Sequence, residues 1–224
     1  MEPECVICVA AIILAAGRSL RMGSPKQLLR IDDESLVRRA AKSALASRCD
    51  RVIVVVGADA EAVAREISDL PVERLENANW EEGIASSIRA GVEAATAAQP
   101  QPDAVLIMLA DQPAVTSELL DQLVAAAETA PAGLVACEYA GTLGAPAFYA
   151  RRHFDALGRL SGDRGGKTLL AAHSEAVVRI PFAAAAIDVD TLDDYQRALL
   201  MKSANAGEMP LDTAPKKTGP RGSG

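Results

Sequence analysis

The densest concentration of reactive side chains in this sequence lies between residues 17 and 31. Arg18, Arg21, Lys26 and Arg30 fall there and no acidic residue does. Four cations in one short loop, inside a chain of net charge −7, mark a local anion site. Gly17 and Gly23 permit positive φ and let backbone N–H groups approach phosphate oxygens. Two familiar phosphate loops do not fit. A Walker A loop has four residues between its glycines and then Lys-Ser/Thr; here five residues are followed by Ser-Pro-Lys. The dinucleotide fingerprint G-x-G-x-x-G is also missing. The plain alternative is a basic surface loop joining a strand to a helix.

Carboxylates supply the complementary chemistry. Asp111 leaves the apolar run 104–110, where a strand's carboxyl end would place it at a ligand crevice. A carboxylate facing phosphates suits Mg²⁺, which is held by one or two carboxylates plus phosphate oxygens. Its plain alternative is a turn Asp before Pro113. Asp188 and Asp190 alternate along an extended segment and share one face. Either serves as a second metal ligand, or both belong to the cap and first turn of a helix with Thr191, Asp193 and Asp194. Residues 83–91 place Ser86 and Ser87 at a helix start, as readers of a base edge or as ordinary caps. Residues 161–167 form a Gly-rich loop with Asp163, Arg164 and Lys167, either a receiver of an acceptor's phosphate or a surface turn.

The elements that must position these groups read as α/β. Residues 6–16, 51–56 and 104–110 are short apolar runs, as buried parallel strands are. A weaker strand is expected at 72–75, a further strand at 133–137 and an edge strand at 176–181. Helices are expected from Asp33 to about 45 and over 59–67, 83–98, 116–128 (capped by Thr116 or Ser117), 151–157 and 165–172. A last helix is expected from 188 to about 201. Residues 139–148 are read as a hairpin or a strand over the site. Strand–helix alternation predicts a Rossmann-like three-layer sandwich with a mostly parallel central sheet. Residues 1–202 are expected to form one domain and 203–224, rich in Gly, Pro, Lys and Thr, a disordered tail.

Composition excludes whole classes. The chain has 224 residues, half of them hydrophobic and 44 of them Ala, and only 3% aromatic. That apolar content excludes disorder for the bulk of the chain, and the acidic balance argues against a nucleic-acid coat. The run 6–16 is too short for a membrane span and lacks a basic leader before it, so the chain reads as cytoplasmic with no membrane partner. Cys5 and Cys8 form a C-x-x-C pair, but the two His, His153 and His173, are not at ligand spacing. Cys8 reads as a small hydrophobe.

Residues 14–29 (LAAGRSLRMGSPKQLL) resemble the signature loop of the MobA-like nucleotidyltransferases. Other pieces follow in order: Asn77-Ala-Asn-Trp80 with Gly83, Ser86 and Ser87; Leu109-Ala-Asp-Gln-Pro113; Gly144-Ala-Pro146 with Phe148; Gly162-Asp-Arg-Gly-Gly166; and Asp188-Val-Asp-Thr191. The joint set is similar to the molybdenum cofactor cytidylyltransferase branch and to xanthine dehydrogenase accessory proteins. The resemblance implies a nucleotidyltransferase-type fold and Mg²⁺-dependent transfer of CMP from CTP to the terminal phosphate of molybdopterin, with release of pyrophosphate. It assigns the nucleotide to Leu14, Ala15, Ala16, Gly17, Arg18, Lys26, Ser87 and Asp111. Catalysis falls to Lys26, Arg18 and Asp111, and the metal to Asp111 and Asp190, with Asp188 second. On the acceptor side stand Gly144, Asp163, Arg164 and Lys167. Ala15-Ala16 stands where guanylyl-transferring relatives tend to have Gly-Gly, which leans towards CTP. Both reactants are anions, so the protein's work is positioning and charge neutralisation. With few rings available, base recognition is expected to fall to backbone groups and small hydroxyls. Alternatives are the same chemistry with GTP or on a sugar or polyol phosphate, and a non-catalytic delivery protein for a molybdenum hydroxylase. A molybdenum hydroxylase or its accessory protein is the expected macromolecular partner.

Overall fold

The computed structural model describes residues 7–18 and 25–183 together with Asp194. Cys5, Arg21, Gly23, Asp188, Asp190, the expected last helix and the 203–224 tail lie outside the described residues. In chain order the strands are β1 (Val9–Ala15), β2 (Arg30–Ile31), β3 (Glu34–Ser35), β4 (Arg51–Val56), β5 (Glu73–Glu76), β6 (Ala104–Leu109), β7 (Leu134–Tyr139), β8 (Thr142–Ala150) and β9 (Val178–Pro181). The helices are α1 (Leu36–Leu45), α2 (Ala60–Glu66), α3 (Ile84–Ala97), α4 (Ser117–Ala127), α5 (Phe154–Leu157) and α6 (Lys167–Ala172).

The three apolar runs sit side by side as the centre of a sheet ordered β5-β4-β1-β6-β8-β7-β9. β1 is buried along its whole length, as its unbroken apolar sequence requires. It pairs in parallel with β4 on one side and β6 on the other. β5 on β4 and β9 on β7 are also parallel, while β8 runs antiparallel to both β6 and β7. The sheet is therefore mostly parallel, with β9 on an edge as expected. Residues 139–148 resolve as a hairpin: Ala140 and Gly141 take φ of 50° and 70°, the positive values that a tight two-residue connection needs. The returning strand slots between β6 and β7.

One expected boundary is corrected. The first helix starts at Leu36, not Asp33, because Asp32 and Asp33 adopt φ of 52° and 62° and turn β2 into β3. A residue in that region cannot open a right-handed helix. Ser35 Oγ instead accepts from the Arg38 N–H at 3.4 Å as the cap. At α4 the cap is Thr116, whose Oγ1 accepts from the Leu119 N–H at 3.4 Å.

The period of two along β1 sorts its side chains into two cores. Val9, Ala11 and Ile13 pack with Val37 and Ala41 of α1, Val63 of α2 and Leu120 and Leu123 of α4. Ala10, Ile12 and Leu14 pack with Ile88 and Val92 of α3, Leu157 of α5 and Leu170 of α6. Helices on both faces make the three layers. Small residues let α3 lie close to the sheet: a Cβ on Gly91 would sit 2.5 Å from Ile12 Cγ2. Gly91→Ala sets a helix-propensity gain of about 1 kcal/mol against overpacking of about 1–3 kcal/mol. A net loss of about 1 kcal/mol is expected in urea unfolding, and a gain would show that α3 is free to lift off β1.

Candidate active site

From β1 the chain winds outward through β4 and β5, then returns to place β6 on β1's other side. That reversal leaves a crevice beyond the carboxyl ends of β1 and β6, where doubly wound sheets bind ligands. A cleft of about 350 Å³ lies there. Leu14, Ala16, Gly17 and Arg18 reach it from the end of β1, Lys26 and Gln27 from a 3₁₀ turn (Lys26–Leu28), and Asp111 from just past β6. The start of α3 supplies Ile84 and Ser87. Asp163 closes it from the 161–166 loop, with Trp80 and Glu81 beside it. Most sequence-predicted residues thus meet in one place. Ala15 does not line the cleft, because its side chain points into the opposite core. Gly144 and Lys167 line an adjoining chamber, and Arg164 lines neither cavity.

At the centre the Lys26 ammonium contacts the Asp111 carboxylate. Asp111 is 9% exposed and Lys26 24% exposed at the side chain. A carboxylate this far from water needs a cation beside it, and Lys26 supplies one. Strand register makes the meeting possible: Leu14 pairs with Leu109, and the Ala110 N–H carries the ladder on to Leu14 O at 3.2 Å.

Two lining residues escaped the sequence reading. Gln27 is buried, and its Nε2 donates to Ala15 O at 3.2 Å and to Gly17 O at 2.6 Å. It pins the turn that carries Lys26 to the end of β1. The signal available was a single polar residue between Lys26 and two leucines. Trp80, the only Trp in the chain, also lines the cleft. It sits half-buried at the start of a short turn whose fold the aromatic count could not reveal.

The far wall is a polar knot. Asn77 Nδ2 donates to Ser86 Oγ at 2.8 Å and to Ser87 Oγ at 3.0 Å, and Ser86 donates onward to Gly83 O at 2.8 Å. Ser87 Oγ thus accepts from Asn77, which leaves its O–H as a donor aimed from a cleft-lining residue. Gly83, at φ 109°, is where the 161–166 loop crosses α3: a Cβ there would lie 2.6 Å from Asp163 Oδ1. Arg89 holds the crossing together, forking onto Glu82 at 2.8 and 2.6 Å and reaching Leu160 O at 2.7 Å. The guanidinium keeps the Glu82 carboxyl below its usual range.

Among the described residues no group of three or more His, Cys, Asp or Glu gathers as a metal site, and the expected partners Asp188 and Asp190 lie outside them. Burial raises the Cys8 thiol pKa and lifts Cys49 to about 11 and Cys137 to about 12, so these cysteines stay protonated and inert at neutral pH. Replacing Gln27 by Leu removes two hydrogen bonds at similar volume. It is expected to cost about 2 kcal/mol, a fall in Tm of roughly 4–8 °C. An unchanged Tm would show that the loop holds its shape without the amide.

The same architecture occurs in known proteins. Residues 11–177 match the MobA-like NTP transferase domain. Nicotine blue oxidoreductase of Paenarthrobacter nicotinovorans is 30% identical over 204 residues, covering 86% of this chain and 97% of that protein. Purine catabolism protein PucB of Bacillus subtilis is 29% identical over 198 residues, covering 82% and 92%. The crystal structure of Rv0371c from Mycobacterium tuberculosis in complex with manganese is 27% identical, with a TM-score of 0.69, and the match covers 86% of this chain and 98% of that one. Because that match spans residues 11–177, well over half of its length, the chain belongs to the MobA-like NTP transferase family.

Proposed function

We propose that this protein is a divalent-metal-dependent nucleotidyltransferase that moves CMP from CTP to the terminal phosphate of molybdopterin or its molybdenum-loaded form, releasing pyrophosphate. The Lys26–Asp111 pair at the β1/β6 crevice carries the reading. Among the described residues the cleft is lined by two cations, Arg18 and Lys26, and three carboxylates, Glu81, Asp111 and Asp163. A triphosphate entering so balanced a cleft is not neutralised by protein cations alone, which fits a metal ion arriving with the nucleotide. Asp111 offers the hard oxygen that Mg²⁺ or Mn²⁺ takes, with Asp190 as the proposed second ligand and Asp188 the alternate. Manganese in the similar Rv0371c structure supports a divalent ion. When bound, the ion would neutralise phosphate charge and orient the in-line displacement.

The chain's own groups do the rest. Lys26 exchanges Asp111 for the phosphates and bears the charge that develops on the leaving pyrophosphate. Arg18 and the backbone at Gly17 flank the same oxygens. The Ser87 O–H, set as a donor by Asn77, offers a hydrogen bond to a base carbonyl. Trp80 offers a face for the base to stack on. Ala15-Ala16 supports CTP over GTP, and the joined motifs of residues 77–191 support a molybdopterin acceptor. The partner we propose is a molybdenum hydroxylase or its accessory protein, and the compartment the cytoplasm; among the described residues no helix is long and apolar enough to cross a membrane. A second reading, oxidoreduction, follows from the similarity to nicotine blue oxidoreductase.

The deciding experiment incubates the protein with molybdenum-loaded molybdopterin, Mg²⁺ or Mn²⁺, and each of CTP, GTP, ATP and UTP, and measures pyrophosphate. Release with CTP is expected. Silence with every nucleotide, alongside reduction or oxidation of nicotine blue in a parallel assay, would favour the second reading. Lys26→Ala and Asp111→Ala should each lower kcat/KM by about 10²–10³ with unchanged circular dichroism. Separately, CTP with metal should quench Trp80 fluorescence saturably, and a flat titration would remove the base from that wall.

A further inference from the structure

The two histidines take no part in the cleft, and the sequence keeps them twenty residues apart. Folding brings their ring centroids to 5.9 Å, with the ring planes at 61°. His153 ends the 3₁₀ turn Arg151–His153 that follows β8, and His173 caps the C-terminus of α6. Leu157 of α5 and Leu170 of α6 are fully buried in one core, which anchors both short helices to the same face of the sheet. Backbone bonds hold the two ends: the Arg151 N–H donates to Asp103 O at 2.7 Å, and the Ala176 N–H to His173 O at 2.8 Å.

Hydrogen bonding assigns the nitrogens of the pair. His153 Nε2 lies 2.8 Å from Ala132 O. A carbonyl oxygen only accepts, so Nε2 carries the proton and Nδ1 of the neutral ring keeps its lone pair. A ring N–H on a backbone carbonyl is the arrangement that orients a metal-bound imidazole and raises its basicity. Among the described residues the ring of His173 makes no hydrogen bond, and the residue is exposed. Either neutral tautomer of it leaves one nitrogen with a free lone pair. Metal–imidazole bonds are about 2.0–2.1 Å, so two rings on one ion hold their centroids roughly 5–6 Å apart. The separation of the two rings already falls in that range.

We propose that His153 and His173 form a surface site for a transition-metal ion of the Zn²⁺ and Ni²⁺ class, bound through His153 Nδ1 and one ring nitrogen of His173, with water in the remaining positions. Imidazole nitrogen suits such ions, whereas Mg²⁺ takes oxygen, so the site differs in chemistry from the carboxylate at Asp111. The bound ion would close residues 153–173 into a loop. That segment carries Asp163 to the cleft and Lys167 to the adjoining chamber. A clip across its ends narrows the range of positions open to both.

The test titrates Ni²⁺ into the full chain by calorimetry, with Mg²⁺ in excess to occupy carboxylate sites. Saturable binding to the wild type is expected, and Ni²⁺ at one hundred times its dissociation constant should raise Tm by roughly 5–10 °C. His173→Ala removes one ligand from an exposed side chain that holds no hydrogen bond. It should therefore keep the metal-free Tm, lose the Ni²⁺-dependent rise and bind Ni²⁺ at least about tenfold more weakly. Equal Ni²⁺ affinity, or an equal rise in Tm, in the wild type and His173→Ala would overturn the proposal by placing the ion on the cysteines or in the cleft. So would the absence of Ni²⁺ binding to the wild type.

Discussion

Lys26 and Asp111 meet because two parallel strands stop at the same level. β1 and β6 are bonded with Leu14 opposite Leu109, and each chain leaves the sheet within a few residues of that point. Side chains alternate faces along a strand, so a one-residue slip would move Asp111 about 3.3 Å and turn Leu109 to the other core. Burial of both faces of β1 makes such a slip costly. The hydrophobic register of the sheet therefore sets the geometry of the charged site, and every group round the cleft is measured from it.

The rest of the cleft shows polar groups used as fasteners. Gln27 spends its amide on two backbone carbonyls, Asn77 on two serine hydroxyls, and Arg89 on a carboxylate and a carbonyl. Each ties one segment to another, from seven residues apart in Arg89–Glu82 to 71 apart in Arg89–Leu160, and each lies at or behind a cleft wall. Such partly buried bonds are expensive to leave half-made, so the walls hold one arrangement before a ligand arrives. That preorganisation suits a reaction between two anions, in which the protein's contribution is position and charge.

Much of the fold was legible in the linear pattern. Three apolar runs with β-branched residues became the central strands, Thr116 became a cap, and Lys26 and Asp111, singled out separately along the chain, came into contact. The misses have local causes. Asp32 and Asp33 looked like an acidic helix start, but two residues at positive φ made them a turn. Residues 139–148 left hairpin and lone strand open, because pairing with β6 and β7 depends on partners far along the chain.

By itself the sequence determined which segments are buried, through unbroken apolar runs, and where cations and carboxylates are gathered, since hydrophobic period and charge clustering are local properties. Tertiary structure alone decided that Trp80 faces the cleft and that Gln27 clasps β1. It also decided that His153 and His173, twenty residues apart in sequence, bring their ring centroids to 5.9 Å. Each of these is a relation between segments that only chain crossing brings into contact. No local pattern specifies it, because the free energy that selects it comes from burying two distant faces at once.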